Sequence, residues 1–244
     1  MSETLVIALL FLATAALYAS VGHAGASGYL AVMGLFGFAP AVMKPTALSL
    51  NILVALVATV QFTRAGLFSW GLFWPFAIAS VPAAYAGGAL TLPVRGYRIL
   101  VGVVLLYAAA WMFRSARQAL GSEIRAPALW IALPVGAVLG LLSGLTGVGG
   151  GIFLSPLLLY MAWADTRTTS AVAAPFILVN SVSGLLGAVA GIAEVPRSIP
   201  LWGAAVLVGG WIGATYGSRR APVPLLRQLL SVVLVIAGVK LIFF

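Results

Sequence analysis

Apolar runs of about 18 or more residues follow one another along almost the whole chain, the length a helix needs to cross roughly 30 Å of hydrocarbon. With 63% hydrophobic and 7% charged residues, there is too little charge to cover a soluble exterior. The roughly ten-residue alternating segments of a membrane β-barrel are absent. The chain therefore reads as an all-α polytopic membrane protein. Its start, MSETLVIALLFLATAALYAS, carries Glu3 instead of a basic n-region and runs into further apolar segments. It reads as retained structure, not as a signal peptide.

Ten apolar segments can be marked: 4–21, 28–40, 45–63, 70–92 and 97–113, then 128–146, 151–164, 168–192, 199–217 and 224–244. The second and seventh are too short to span a bilayer, and each follows a glycine-rich break. Each of these, with the segment before it, predicts a re-entrant helical hairpin. The halves resemble each other. Gly28-Tyr29-Leu30 lies 123 positions before Gly151-Ile152-Phe153, and RILVGVVLLYA from Arg98 matches RQLLSVVLVIA from Arg227 at an offset of 129. The organisation expected is a first membrane repeat over 1–115, a polar linker over 116–127 and a second repeat over 128–244.

An odd number of crossings per half inverts the second repeat relative to the first. One face then collects Arg64, Arg114, Arg117, Arg125, Arg167, Arg219, Arg220 and Arg227; the other collects Lys44, Arg95, Arg98, Arg197 and Lys240. The richer face is expected to be cytoplasmic, with both termini outside the inner membrane. The net charge of +9 is thus assigned to orientation, because the basic residues sit singly or in pairs at segment ends. No nucleic-acid partner is implied; the expected partners are a small anion, the lipid bilayer and a second copy in a homodimer.

The breaks are the candidate site. GVGGG at 147–151 frees backbone N–H groups at a helix start, where glycine permits close approach of an anion and the helix dipole favours it. Such amides are tolerated in a membrane only where they line a cavity or meet protein partners. The earlier break, GHAGASG at 22–28, adds His23 and the Ser27 hydroxyl. Substrate contacts are expected from His23, Gly25, Ser27, Lys44, Asn51, Gly149, Gly150, Gly151 and Asn180. Lys44 and Asn51 lie about 20° from one helical face, and Asn180 lies in the matching helix of the other half. Each has a structural alternative: interhelical hydrogen bonding for the asparagines, snorkelling for Lys44. The lone His23 suggests an anion contact or a proton-sensitive gate. Gln61 and Arg64 read as interfacial. The scattered Gly87, Gly88, Gly209 and Gly210 read as points of close helix crossing.

Several chemistries are excluded. There is no cysteine, so thiolate and disulfide chemistry is absent. Glu3, Glu123, Asp165 and Glu194 all fall at segment ends, which leaves no mid-membrane carboxylate for a cation or proton relay. No Ser/His, HExxH or paired-Asp set lies within the helices, and GVGGG lacks the Lys-Ser/Thr of a P-loop. No catalytic residues, metal site or cofactor are expected. Amides, hydroxyls and a few cations suit a small anion.

GVGGG with Pro156, the TSAVAAPFILVNS helix from Thr169 and the matching plan in the first half resemble the TauE/SafE family of sulfite exporters over essentially the whole chain. The resemblance implies a secondary carrier with two repeats that exports sulfite or organosulfonates, with the glycine cluster, Asn180 and the short segments around substrate. GHAGASG replaces the usual glycine triplet in the first repeat, and Met33 stands where Pro156 has its counterpart. The alternatives are an uptake carrier or channel for another anion, an intramembrane enzyme, or a passive structural subunit.

Overall fold

In the computed structural model, residues 3–115, 127–189, 196–219 and 224–243 are described. They form ten helices and, among these residues, no strand: α1 (Glu3–Ala19), α2 (Ala26–Leu35), α3 (Pro40–Arg64), α4 (Trp70–Ala89), α5 (Val94–Ser115), α6 (Leu129–Thr146), α7 (Gly151–Tyr160), α8 (Thr166–Ala188), α9 (Ile199–Arg219) and α10 (Pro224–Phe243). Six of them, α3, α4, α5, α6, α8 and α9, are long and apolar enough to cross a membrane. Nearly all of the expected polar linker lies outside the described residues. So do Arg117, Glu123, Arg125, Glu194 and Arg220.

The helices show large apolar side chains outward as well as inward. Trp130 is 77% exposed, Trp70 69% and Leu186 60%, a surface that only lipid covers favourably. Local signals set the ends. Pro40 opens α3 where its missing N–H is unneeded. The Asp165 carboxylate caps α8, accepting from Arg167 N and Thr168 N at 2.8 Å each.

Glycine governs how closely the helices pack. On α6, Gly136, Gly140 and Gly144 sit under the Phe76, Ser80 and Ala84 carbonyls of α4. On α9, Gly209, Gly213 and Gly217 sit under the Leu12 and Ala16 carbonyls of α1 and the Ser20 carbonyl just past its end. A Cβ at any of the six would collide with backbone, so these stripes permit the contact by lacking side chains. Gly87 and Gly88 do the same against α6 and α8, and Gly210 meets Val54 of α3. The helices α3 and α8 pack on each other at the centre, α3 also against α9 and α8 also against α4. Gln61 of α3 donates to Thr215 Oγ1 of α9 at 3.3 Å, an interhelical tie.

The short helices α2 and α7 have ten residues each, about 15 Å of rise and half the hydrocarbon thickness. Their breaks share two left-handed positions, and the second has a third at Gly149. Gly22 and Gly147 have φ of 76° and 82°, and the N-caps Gly25 and Gly150 have φ of 102° and 81°. Both pairs lie 125 positions apart, and Ala26 and Gly151 then open the two helices. The sequence register of 123, which started the first short segment at Gly28, is corrected by two residues. On a repeat with this offset of 125, the position matching Pro156 would be Ala31 instead of Met33.

Candidate functional site

The two breaks meet around Asn51. Its Oδ1 accepts from Ala26 N–H at 3.0 Å, capping α2, while its Nδ2 donates to Val148 O at 3.1 Å and Ser181 Oγ at 3.4 Å. Fully buried, this one amide joins the start of α2, the loop before α7 and the middle of α8. Asn51 thus fills the interhelical role, with donors and acceptor engaged. Gly149 is packed beside it: a Cβ there would stand 2.6 Å from Asn51 Nδ2 and 2.9 Å from Ser181 Oγ. Only glycine combines this contact with a φ of 84°.

His23 makes a second junction. Its Nδ1 lies 3.1 Å from Val21 O and its Nε2 3.2 Å from Gly151 O, the first residue of α7. Val21 O also accepts from Ser170 Oγ of α8 at 2.9 Å, and Gly22 lies directly beneath the Ser170 backbone. The rest of the first break is filled. Ser27 Oγ donates to Tyr18 OH at 2.7 Å, and Tyr29 OH donates to Ala24 O at 2.7 Å. Ser27 therefore faces a tyrosine within its own hairpin, and Gly25 lies against the Tyr29 ring.

The second break keeps polar capacity unused. Gly150 is bordered by Phe176 of α8 and Ser143 of α6. Ser143 Oγ is buried and has no hydrogen-bond partner among the described residues. One turn beyond Phe176, Asn180 donates through Nδ2 to Phe176 O at 2.8 Å, and its Oδ1 is likewise buried without a partner. The two asparagines thus have different partners. Asn51 sits at the crossing, whereas Asn180 bonds back onto its own helix.

Lys44 turns its ammonium to the end of α4. Its Nζ donates to Gly88 O at 2.7 Å, Leu90 O at 3.1 Å and Gly87 O at 3.4 Å, a cation on the carbonyl end of α4. It lines a mainly apolar cleft of about 260 Å³ with Pro45, Leu90, Tyr97 and Gly187, among others. The cleft backs onto the second break. Tyr97 OH donates to Thr146 O at 3.0 Å, and a Cβ at Gly147 would stand 3.1 Å from Lys44 O. Sequence reasoning missed Tyr18, Tyr29, Tyr97, Ser143, Ser170 and Ser181. Only Ser181, following Asn180 inside an apolar helix, carried a visible signal.

This arrangement, two broken helices meeting in an apolar bundle beside a cleft, is that of a permeation protein more than a catalytic one. The family model for the sulfite exporter TauE/SafE matches residues 6–241. The chain belongs to the TauE/SafE family. It is also 44% identical over 245 residues to the "probable membrane transporter protein y4hK" of Sinorhizobium fredii (strain NBRC 101917 / NGR234), covering 99% of each chain. No solved structure matches it. The chain is therefore a multi-pass membrane transporter of the TauE/SafE type, and the family points away from an enzyme. The second break combines three glycines with the unpaired Ser143 hydroxyl, and it is joined to the cleft residues through Tyr97 and Lys44.

Proposed function

We propose that the protein is a secondary transporter that exports a small oxyanion, sulfite or an organosulfonate, across the inner membrane by alternating access between inverted repeats. The observation that carries this reading is the second break. There the N-terminus of α7 lies beside the partnerless Ser143 hydroxyl, and Thr146 and Gly147 of the same break contact Tyr97 and Lys44, which line a cleft. Helix-start amides and a hydroxyl are donors matched to an oxyanion, and Asn180 can turn its amide toward it.

Supporting the repeat reading, both breaks adopt the same left-handed glycine positions. The packing of α1 on α9 and α3 on α9 also becomes that of α6 on α4 and α8 on α4 when each helix number moves by five within its half. In the orientation favoured by the distribution of Arg and Lys, the cleft beside Lys44 would lie on the outward side, where an exported anion is released. Rocking about the α3–α8 contact would close it and open the opposite side.

The test is flux from proteoliposomes that contain only the purified protein and are loaded with sulfite. Efflux above empty liposomes, reduced in Lys44→Met and lost in Gly150→Val, is expected. Flux of another anion but not sulfite would retain the mechanism and replace the substrate. An absence of flux for sulfite, organosulfonates and carboxylates would overturn the reading.

A further inference from the structure

The single histidine faces two acceptors. Nδ1 lies 3.1 Å from Val21 O and Nε2 3.2 Å from Gly151 O. A neutral imidazole carries one N–H, so one nitrogen would aim its lone pair at a carbonyl oxygen. Only the imidazolium donates to both. We propose that His23 is a proton-binding site that locks the first break to the start of α7, and that transport is coupled to protons through it. The inference deepens the transporter reading and rests on it for the coupling, though not for the proton site itself.

The surroundings support the assignment. Val21 and His23 are half-buried within an otherwise buried break. From α1, Tyr18 meets the His23 ring edge-on with centroids 6.4 Å apart, and the Tyr18 hydroxyl is engaged by Ser27. From α2, the Tyr29 hydroxyl is engaged by Ala24 O, and from α8 Ser170 donates to the same Val21 carbonyl as the ring. The charged residues nearest along α8, Asp165 and Arg167, stand on its exposed first turn. There the Asp165 carboxylate accepts from Arg167 N, Thr168 N and Thr168 Oγ1.

The step is a simple exchange. The imidazolium gives one proton to water and becomes neutral imidazole, and one of the two bonds, to Val21 O or Gly151 O, is lost. Where the bond lost is the one to Gly151 O, the contribution of His23 to holding the break on α7 is removed, while Asn51 still joins Ala26 to Val148, and rebinding a proton from the other compartment restores it. The doubly bonded state is present at low pH and lost as pH rises through the histidine titration.

Because His23 is the only histidine, 15N-histidine labelling of the purified protein reports one ring. Both nitrogens should be protonated at the acid end and one proton lost within the histidine range of about pH 5–8. A ring that stays neutral throughout that range would overturn the proposal. In proteoliposomes, sulfite flux by the wild type and by His23→Gln is compared across the same pH range, so that titration of sulfite itself is common to both. The ratio of the two rates should change by up to about tenfold per pH unit on one side of the transition, the limit for one proton. A constant ratio would overturn the coupling. A titrating ring in a protein without sulfite flux would overturn the substrate and leave the proton site standing.

Discussion

At the first break, Tyr18, Tyr29 and His23 crowd around two left-handed glycines, and Asn51 caps the helix that follows. At the second, the chain passes through Gly149, Gly150 and Gly151 beside a Ser143 hydroxyl that bonds to nothing among the described residues, and Asn180, one turn beyond the Phe176 that borders Gly150, likewise keeps its carbonyl unpaired. Equivalent chain paths thus carry different chemistry. The first is satisfied internally and serves as a strut; the second holds buried polar atoms that cost free energy unless something else pairs with them. Both breaks were counted as substrate contacts from the sequence. The packing supports the substrate role more strongly at the second.

The largest effect that would sharpen this contrast comes from glycine. Gly149→Ala and Gly25→Ala share a left-handed backbone cost of about 1–2 kcal/mol. At Gly149 the new Cβ also presses on Asn51, Ile177 and Ser181, whereas at Gly25 it meets the end of the Tyr29 ring. Thermal unfolding in detergent should show Gly149→Ala as the more damaged protein, with flux abolished. Equal losses would mean the two breaks are packed alike.

Next are the asparagines. Asn51→Leu strands Ala26 N–H and Val148 O, at about 1–3 kcal/mol for each buried group left unpaired. Asn180→Leu removes a bond back to Phe176 O and an unpaired oxygen, so its folding stability should change little while sulfite flux is lost. Melting temperature and flux measured together separate the two. If Asn180→Leu unfolded as readily as Asn51→Leu, the division into strut and site would fail.

The smallest effect tests the filled break directly. Ser27→Ala removes the 2.7 Å bond to Tyr18 OH and should cost about 1 kcal/mol of stability, with unchanged apparent affinity for sulfite in flux assays. A raised KM for sulfite would return Ser27 to the substrate site.

Much of this architecture was legible beforehand because its causes are local. The ten segments differ from the observed helices by a few residues, as 70–92 does from Trp70–Ala89. The two discontinuities showed as glycine clusters, since positive φ is something a glycine reveals within its own few residues. The two-residue error in register arose because GHAGASG has no triplet to align on; equivalence lay in the dihedrals of Gly22 and Gly25. Lys44 was read as an interfacial or substrate cation because nothing in its own helix shows that the carbonyl end of α4 stops beside it.

What the sequence by itself determined is the solvent and the plan: lipid around an all-helical chain, with two short helices behind broken backbone. Bilayer thickness and backbone hydrogen bonding leave few other solutions for residues this apolar. What only the tertiary structure decided is the partner of each polar group. Asn51 reaches 97 positions along the chain to Val148 and 130 to Ser181, and His23 reaches 128 to Gly151. Such pairs are chosen by how helices cross, through glycine stripes whose carbonyl neighbours lie on distant segments, and no local pattern encodes which crossing will form.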